Sequence, residues 1–168
     1  MSQSITFKGD PVTLEGQPPQ VGQKAPDFQL TATDLGTRSL KDYEGKVKII
    51  SIVLSVDTSV CDAQTRAFNQ QASNLGDDVA VLTISMDLPF AFKRWCGAAG
   101  VDRVECLSDY RDHNFTRAWG LRVKELGLLA RCVFVLDRDN TIKHAQVGPE
   151  LSQEPDYDKA LAAAKQLV

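Results

Sequence analysis

Apolar positions in the middle and the second half of the chain form three runs with the length of buried strands. These runs are residues 47–54, 79–85 and 131–137, and they are rich in β-branched and other apolar side chains. The first run is apolar on both faces at its end, which is typical of a central strand. Asp139-Asn140 predicts a turn out of the third run, and residues 141–147 are expected to pair with it as an antiparallel strand.

Three further segments have the spacing of amphipathic helices. Residues 61–75 place apolar side chains at helical intervals, and Gly76 is expected to end this helix. Residues 89–96 predict a second helix, which Gly97 is expected to stop. Residues 157–168 predict an amphipathic helix at the C-terminal end of the sequence.

The order of these elements favours an α/β fold. Residues 5–14 alternate around Gly9-Asp10, which predicts an N-terminal β-hairpin, and residues 28–31 and 38–40 are short extended segments. A β-α-β unit followed by a β-hairpin and a closing helix resembles the thioredoxin plan, a mixed central sheet with helices on both faces. No repeat or linker interrupts the pattern, so residues 1–168 are predicted to form one domain.

Composition and charge narrow the range of functions. The chain is 43% hydrophobic and 24% charged, and its net charge is -3. It has no long basic stripe, so we expect neither a nucleic acid nor a membrane surface as partner. The N-terminal residues contain no apolar stretch of the kind found in a signal sequence, and no apolar run is long enough to span a bilayer. We therefore expect a cytoplasmic protein.

The cysteine pattern indicates redox chemistry more than metal binding. The chain has four cysteines, Cys61, Cys96, Cys106 and Cys132, and none of them forms a Cys-x-x-Cys pair. The two histidines lie far apart in the sequence. A zinc site usually shows closely paired ligands, so neither a metal nor a cofactor is expected. In a reducing cytosol a cysteine is either buried and inert or redox-active.

Cys61 has the sequence context of a reactive thiol. Residues 54–61 lead from a buried strand through a short polar loop into a helix. If Thr58 is the N-cap, Cys61 is the third helical residue. There the free backbone N–H groups and the positive end of the helix dipole favour the thiolate, which is the reactive form. The alternative is that Cys61 packs under the helix as a small hydrophobe.

Several motifs resemble one family of thiol-dependent enzymes. The sequence D-T-S-V-C at residues 57–61 resembles the peroxidatic loop of the peroxiredoxins. Residues 85–100 resemble the resolving-cysteine helix of the bacterial thiol peroxidase subfamily. Residues 9–14, 129–137 and 154–160 resemble its N-terminal hairpin, its arginine-bearing strand and its last helix. The resemblance covers nearly the whole chain in order.

The resemblance implies a thiol peroxidase with a defined set of site residues. Cys61 would be the peroxidatic cysteine, and Cys96 would resolve its sulfenic acid through an intramolecular disulfide. Thr58 would hydrogen-bond the peroxide and the thiolate, and Arg131 would orient the thiolate and act on the departing oxygen. The substrates would be alkyl hydroperoxides and hydrogen peroxide. Thioredoxin would be the reductant, and the protein would be a homodimer.

For several other residues the sequence supports only less specific predictions. Cys106 and Cys132 lie in strand-like apolar contexts and are interpreted as structural. Leu54 stands where the family has a proline that shields the thiolate. Three aromatic side chains are expected to pack in the core or to line an apolar mouth beside the site: Phe90, Phe92 and Trp95.

Two other functions stay open at this level. The same oxidation could pass to a partner protein, which would make the chain a redox sensor or relay. The replacement of proline by Leu54 could instead mark a thioredoxin-like interaction module with impaired catalysis. The joint presence of Thr58, Cys61, Cys96 and Arg131 argues against such a loss.

Overall fold

A seven-stranded mixed sheet organises the molecule, in a computed structural model that describes residues 4–72, 74–100 and 103–168. A short 3-10 turn at Leu40–Tyr43 precedes the central strands. The other elements follow in chain order: β1 (Ile5–Phe7), β2 (Asp10–Val12), β3 (Leu30–Ala32), β4 (Thr37–Arg38), β5 (Val47–Ile52), α1 (Ser59–Ala72), β6 (Val79–Ser85), α2 (Pro89–Ala99), β7 (Glu105–Ser108), α3 (Asn114–Trp119), β8 (Arg122–Val123), β9 (Leu128–Leu129), β10 (Cys132–Leu136), β11 (Ile142–Val147) and α4 (Tyr157–Leu167).

The sheet has the strand order β11-β10-β5-β6-β7-β3-β4. Strands β5, β6 and β7 are parallel, whereas β10 runs antiparallel to both β5 and β11. Every residue of β5, β6 and β10 is buried. Side chains alternate between the two faces of a strand, so both faces of the central sheet are covered. Helix α1 packs on β6, α2 packs on β7, and α4 packs on β5 and β10. The predicted mixed sheet is confirmed.

The pattern of apolar residues missed several short elements. The strand-like context of Cys106 is confirmed by β7, but helix α3 and the β8–β9 pair were not predicted. These missed elements have two to six residues, too few to display a period. Within the described residues, no helix is both long and apolar enough to cross a bilayer.

The predicted end of α2 is wrong. Gly97 lies inside the helix, which continues to Ala99. The helix ends at Gly100, whose φ of 68° is left-handed. A glycine within a helix weakens it, but a helix stops where the backbone turns left-handed, and glycine adopts that conformation at little cost. The two glycines cannot be distinguished by residue type alone.

The N-terminal hairpin is confirmed, and a distant carboxylate fixes its turn. Ile5 pairs with Val12, and Lys8 and Gly9 turn the chain with φ values of 52° and 86°. The Glu150 carboxylate accepts hydrogen bonds from the backbone N–H of Lys8 at 2.8 Å and of Gly9 at 3.2 Å. Further hydrogen bonds, from Ser152 and from the Thr6 hydroxyl, lower the pKa of Glu150 well below its ordinary value.

Replacing Glu150 by glutamine should loosen this hairpin. The neutral amide is a weaker acceptor than the carboxylate, so the amide protons of Lys8 and Gly9 should exchange faster with solvent. The lowered pKa means that the carboxylate stabilises the fold above the ordinary glutamate pKa of about 4.3, and that this contribution is lost as the pH falls below it. Amide hydrogen exchange at neutral pH measures the first effect, and urea unfolding as a function of pH measures the second.

Glu154→Gln is the matched control, because Glu154 accepts a hydrogen bond from the Tyr157 hydroxyl and makes no described contact with the hairpin. It should leave exchange at Lys8 and Gly9 unchanged. Equal protection in the parent chain and in Glu150→Gln would contradict this account of the hairpin.

Candidate active site

Thr58 begins helix α1 and positions Cys61. The Thr58 Oγ1 accepts a hydrogen bond from the Cys61 backbone N–H at 3.2 Å, and the Thr58 carbonyl accepts one from Asp62 N–H at 2.9 Å. Thr58 is therefore the N-cap, and Cys61 lies in the first helical turn. The Cys61 side chain is completely buried. The helix dipole favours a negative charge on its sulfur.

A buried arginine hydrogen-bonds to the Cys61 sulfur. Arg131 directly precedes β10 and is 4% exposed. Its Nη2 donates to the Cys61 Sγ at 3.1 Å, its Nη1 to the Gln64 Oε1 at 2.8 Å, and its Nε to the Leu151 carbonyl at 2.7 Å. A buried guanidinium is costly unless well-placed acceptors or an anion compensate it, and the Cys61 sulfur is the one of these three acceptors that can supply a negative charge.

Gln64 and Leu151 belong to the site and were missed in the sequence. The Gln64 Nε2 donates to the Ser51 Oγ on β5 at 2.7 Å, which fixes the amide that holds Arg131. Gln64 lies three residues after Cys61, so the helical period places both on one face of α1 and could have indicated it. The Leu151 carbonyl carries no signal in the sequence, because any residue supplies a backbone oxygen.

An apolar cavity of about 270 Å³ opens beside this group. Thr58, which accepts from the Cys61 backbone N–H, and Arg131, which donates to the Cys61 sulfur, both line it. Leu54 lines it too, so leucine provides an apolar wall at the position where the family has proline. The other lining residues come from the hairpin, the start of α1, the β8–β9 turn and the segment after β11: Phe7, Lys8, Ser59, Val60, Leu126, Leu128, Leu151 and Ser152.

The structure does not bring Cys96 into this group. Cys96 is half-buried on α2, and both Cys61 and Cys96 are free thiols. The Cys96 Sγ lies 3.3 Å from the Sγ of Cys106 on β7. These two sulfurs line a separate, more polar cleft. The Trp95 Nε1 donates to the Asp62 Oδ1 at 2.7 Å and ties α2 to the first turn of α1.

The remaining cysteines differ from each other. Cys132 is buried, and its burial raises the pKa of the thiol, in agreement with a structural role. Cys106 is buried as well, but the interpretation of it as merely structural did not foresee its contact with Cys96. The hydrogen bond between these thiols lowers the pKa of Cys96 and raises that of Cys106, so Cys96 ionises first.

Two of the three aromatic predictions are confirmed. Phe92 and Trp95 are buried and pack in the core. Phe90 is 66% exposed, so the expectation that it packs in the core or lines a mouth beside the site is wrong. It lies two residues from Phe92, a spacing that puts the two side chains on different faces of a helix.

The helix-capped Cys61 and the buried Arg131 lie together in a thioredoxin-like fold, and comparison with known proteins finds peroxiredoxins and thiol peroxidases that are similar to the whole chain. The chain resembles a peroxiredoxin-like protein from Aquifex aeolicus with a TM-score of 0.93 and 34% identity, covering 100% of this chain and 99% of that one. The thiol peroxidase of Bacillus subtilis (strain 168) is 56% identical over 164 residues, which are 98% of each chain. That of Streptococcus pneumoniae (strain R6) is 53% identical over 163 residues, 97% of this chain and 99% of the relative.

The Redoxin family profile matches residues 20–161. The chain therefore belongs to the Redoxin family, in which it is a thiol peroxidase of the peroxiredoxin type.

Arg131→Met should lower the second-order rate of Cys61 oxidation at least tenfold while leaving the fold intact. One charge-assisted hydrogen bond contributes roughly 1.5–3 kcal/mol, and a tenfold change in rate corresponds to about 1.4 kcal/mol. Arg131→Lys keeps the charge but loses the fork of donors, so it should restore only part of the rate. Stopped-flow fluorescence with stoichiometric peroxide gives the rate.

Arg138→Met is the matched control, because Arg138 is exposed and donates to the Gly45 carbonyl away from the site. Its rate should equal that of the parent. A native circular dichroism spectrum combined with an unchanged rate in Arg131→Met would contradict the assigned role of Arg131.

Proposed function

We propose that the chain reduces hydroperoxides by attack of the Cys61 thiolate on a peroxide oxygen. The observation that supports this most directly is the hydrogen bond from Arg131 to the Cys61 sulfur beside an apolar cavity. The sulfur forms a bond to one oxygen and the O–O bond breaks. The second oxygen leaves as alkoxide or hydroxide and takes up a proton to give an alcohol or water. Cys61 is left as a sulfenic acid.

Thr58 and Arg131 are proposed to orient the peroxide. The Thr58 hydroxyl donates to the Ser55 carbonyl at 3.1 Å, so its oxygen is free to accept a second hydrogen bond besides that from Cys61 N–H. A peroxide O–H is the donor that fits this position. The guanidinium of Arg131 is proposed to stabilise the negative charge that grows on the departing oxygen.

Alkyl hydroperoxides are proposed as substrates together with hydrogen peroxide. Six of the eleven residues that line the cavity are apolar, four of them leucines, and this apolar wall favours an organic group on the substrate. Leu54 preserves this apolar lining, so we propose that activity survives the absence of the family proline.

Leu128→Ser should lower kcat/KM for cumene hydroperoxide about fivefold and leave that for hydrogen peroxide nearly unchanged. Leu128 is partly exposed in the cavity wall, and the loss of about 1 kcal/mol of apolar contact corresponds to roughly a fivefold change. Steady-state peroxidase assays with the two substrates give the ratio. Leu167→Ser is the control, because Leu167 is equally half-buried but lies on α4 outside the cavity. A proportional loss with both peroxides would contradict the substrate assignment.

Cys96 is proposed to resolve the sulfenic acid through an intramolecular disulfide with Cys61. Its lowered pKa, caused by the hydrogen bond with Cys106, favours the thiolate that this attack requires. In the reduced fold Cys96 faces Cys106, and Trp95 ties α2 to Asp62 on α1. Resolution is therefore proposed to follow local unwinding of α2, of the first turn of α1, or of both.

Gly97→Ala should slow this disulfide formation, and Ala98→Gly should accelerate it. Gly97 is exposed within α2, and an added Cβ would meet open space. Alanine stabilises a helix by about 0.8–1 kcal/mol relative to glycine, which predicts a fourfold to fivefold change in each direction if α2 must unwind. Acid quenching and thiol alkylation after stoichiometric peroxide give the rates. Equal rates in the two variants would mean that α2 remains helical during resolution.

Turnover assays with two cysteine variants test the proposed cycle. Cys61→Ser should abolish peroxide reduction, because it removes the attacking thiol. Cys96→Ser should consume about one equivalent of peroxide per chain and then fail to recycle with thioredoxin, because attack and resolution are separate steps. Normal turnover in Cys61→Ser would overturn the assignment of Cys61, and full recycling in Cys96→Ser would transfer the resolving role to another thiol.

We further propose that thioredoxin is the reductant, that the protein is a homodimer and that it is located in the cytoplasm. Two apolar side chains at the start of α2, Leu88 and Phe90, are exposed and could be covered by a second copy. Sedimentation velocity tests the dimer. Steady turnover with thioredoxin supports the peroxidase, whereas one turnover followed by transfer of the disulfide to a partner protein would indicate a redox relay.

A further inference from the structure

Cys96 and Cys106 form a second pair of thiols in the reduced fold. Their sulfurs are 3.3 Å apart, with Cys96 half-buried on α2 and Cys106 buried on β7. A disulfide has an S–S distance of about 2.05 Å, so the two sulfurs need to approach by only about 1.2 Å. Cys61 faces Arg131 instead, and Cys132 is buried elsewhere on β10.

We propose that Cys106 is a third redox-active cysteine, which takes over the disulfide from Cys61–Cys96 and holds it as Cys96–Cys106. The proposal rests on the proposed function, because Cys61 oxidation supplies the first disulfide. It adds a step after resolution, in which the peroxidatic cysteine is released while the protein is still oxidised.

The step is an ordinary thiol–disulfide exchange and balances without a further reagent. Cys106 gives its proton to solvent, and its thiolate attacks the Sγ of Cys96. The Cys96–Cys106 bond forms, and the Cys61–Cys96 bond breaks with its electron pair on Cys61. No net oxidation occurs. A dithiol reductant then returns two electrons and two protons to Cys96–Cys106.

Recovery of the native contacts around Cys61 drives the exchange. In the reduced fold the Cys61 sulfur is bound to Arg131, and Trp95 is bound to Asp62. Formation of the Cys61–Cys96 disulfide would draw the Cys61 sulfur away from Arg131 and disturb the link between Trp95 and Asp62. Exchange returns Cys61 to the guanidinium as a thiolate. The Cys96–Cys106 disulfide, in contrast, joins two atoms that already touch in the folded chain. The equilibrium should therefore favour the second disulfide.

The order of events follows from the hydrogen bond between the two thiols. In the reduced protein this bond and burial raise the pKa of Cys106, while the same bond lowers the pKa of Cys96. Cys96 is therefore the first of the pair to attack. Once Cys96 is part of a disulfide it no longer ionises, so Cys106 is freed from a neighbouring thiolate that opposes its own ionisation.

The location of this pair separates reduction from peroxide attack. Cys96 and Cys106 line a cleft of about 450 Å³ together with Lys93, Arg103 and Glu105. The apolar cavity beside Cys61 has none of these residues in its lining. A dithiol reductant of the kind proposed above can approach the second disulfide from this polar cleft without entering the peroxide cavity.

Peptide mapping after peroxide addition tests the transfer. Trypsin cleavage at lysine and arginine places Cys61, Cys96, Cys106 and Cys132 on four different peptides, residues 49–66, 95–103, 104–111 and 132–138. The reduced parent chain receives one equivalent of hydrogen peroxide and is acid-quenched and alkylated between milliseconds and minutes. The 49–66/95–103 disulfide should appear first and then decline by at least fivefold, as the 95–103/104–111 disulfide replaces it. Persistence of the first disulfide as the sole product would overturn the proposal.

A second arm tests the pair independently of peroxide chemistry. Cys61→Ser is equilibrated in glutathione redox buffers, and it should form the 95–103/104–111 disulfide as the buffer becomes oxidising. Failure to form it at any ratio would overturn the proposal even if Cys61–Cys96 forms normally with peroxide. The parent chain could form no disulfide with peroxide while Cys61→Ser forms the 95–103/104–111 disulfide in the redox buffers. That result would overturn both the proposed peroxidase cycle and the transfer step, and only the ability of Cys96 and Cys106 to form a disulfide would be retained.

Two substitutions at Cys106 separate exchange from hydrogen bonding. Cys106→Ala and Cys106→Ser should both stop at the Cys61–Cys96 disulfide, because neither can form the second one. Only Cys106→Ser keeps a donor for the Cys96 thiolate, so the pH midpoint of Cys96 alkylation should rise more in the alanine variant. Cys132→Ala is the matched control and should leave the sequence of disulfides unchanged. Transfer that persists in Cys106→Ala to a peptide other than 104–111 would also overturn the assignment.

Discussion

The buried positive charge of Arg131 is the constraint on which the site depends. A guanidinium removed from water is costly unless an anion or several well-placed acceptors compensate it. Gln64 and Leu151 supply two neutral acceptors, and Cys61 is the hydrogen-bond partner that can supply a negative charge. The same hydrogen bond therefore helps to satisfy Arg131 and fixes the position of the Cys61 sulfur, so one contact serves both the fold and the site.

The central sheet positions the residues that hold Arg131 against the Cys61 sulfur. Ser51 on β5 fixes Gln64, and Arg131 directly precedes β10, which pairs with β5 in the centre of the sheet. The loop between β5 and α1 is anchored by the carboxylate of Asp87, which accepts from Ser55 Oγ at 2.8 Å and from Val56 N–H at 2.9 Å. This loop leads into the Thr58 cap. A rigid scaffold with a cysteine on its first helical turn suits a reaction that depends on orientation.

The parts of the molecule that the sequence revealed are those with local or periodic signals. The runs that became β5, β6 and β10 are long and apolar, and Thr58 with Cys61 has the pattern of a helix start. The features that the sequence did not predict depend on tertiary contacts or on backbone angles. Gly97 and Gly100 look alike until one turns left-handed, and the contact of Cys106 with Cys96 follows from the packing of α2 on β7.

Other site features had only a weak signal or none. Gln64 shares a helical face with Cys61 and could have been suspected, whereas the carbonyl of Leu151 could not.

The central claim is that the Cys61 thiolate receives the first oxygen from the peroxide. It is tested most directly by trapping that oxygen as a sulfenic acid in Cys96→Ser treated with one equivalent of cumene hydroperoxide and dimedone. The account predicts a single dimedone adduct per chain, on the peptide of residues 49–66 that contains Cys61. Peroxide consumption with the adduct on another cysteine peptide, or with no adduct on this one, would contradict it.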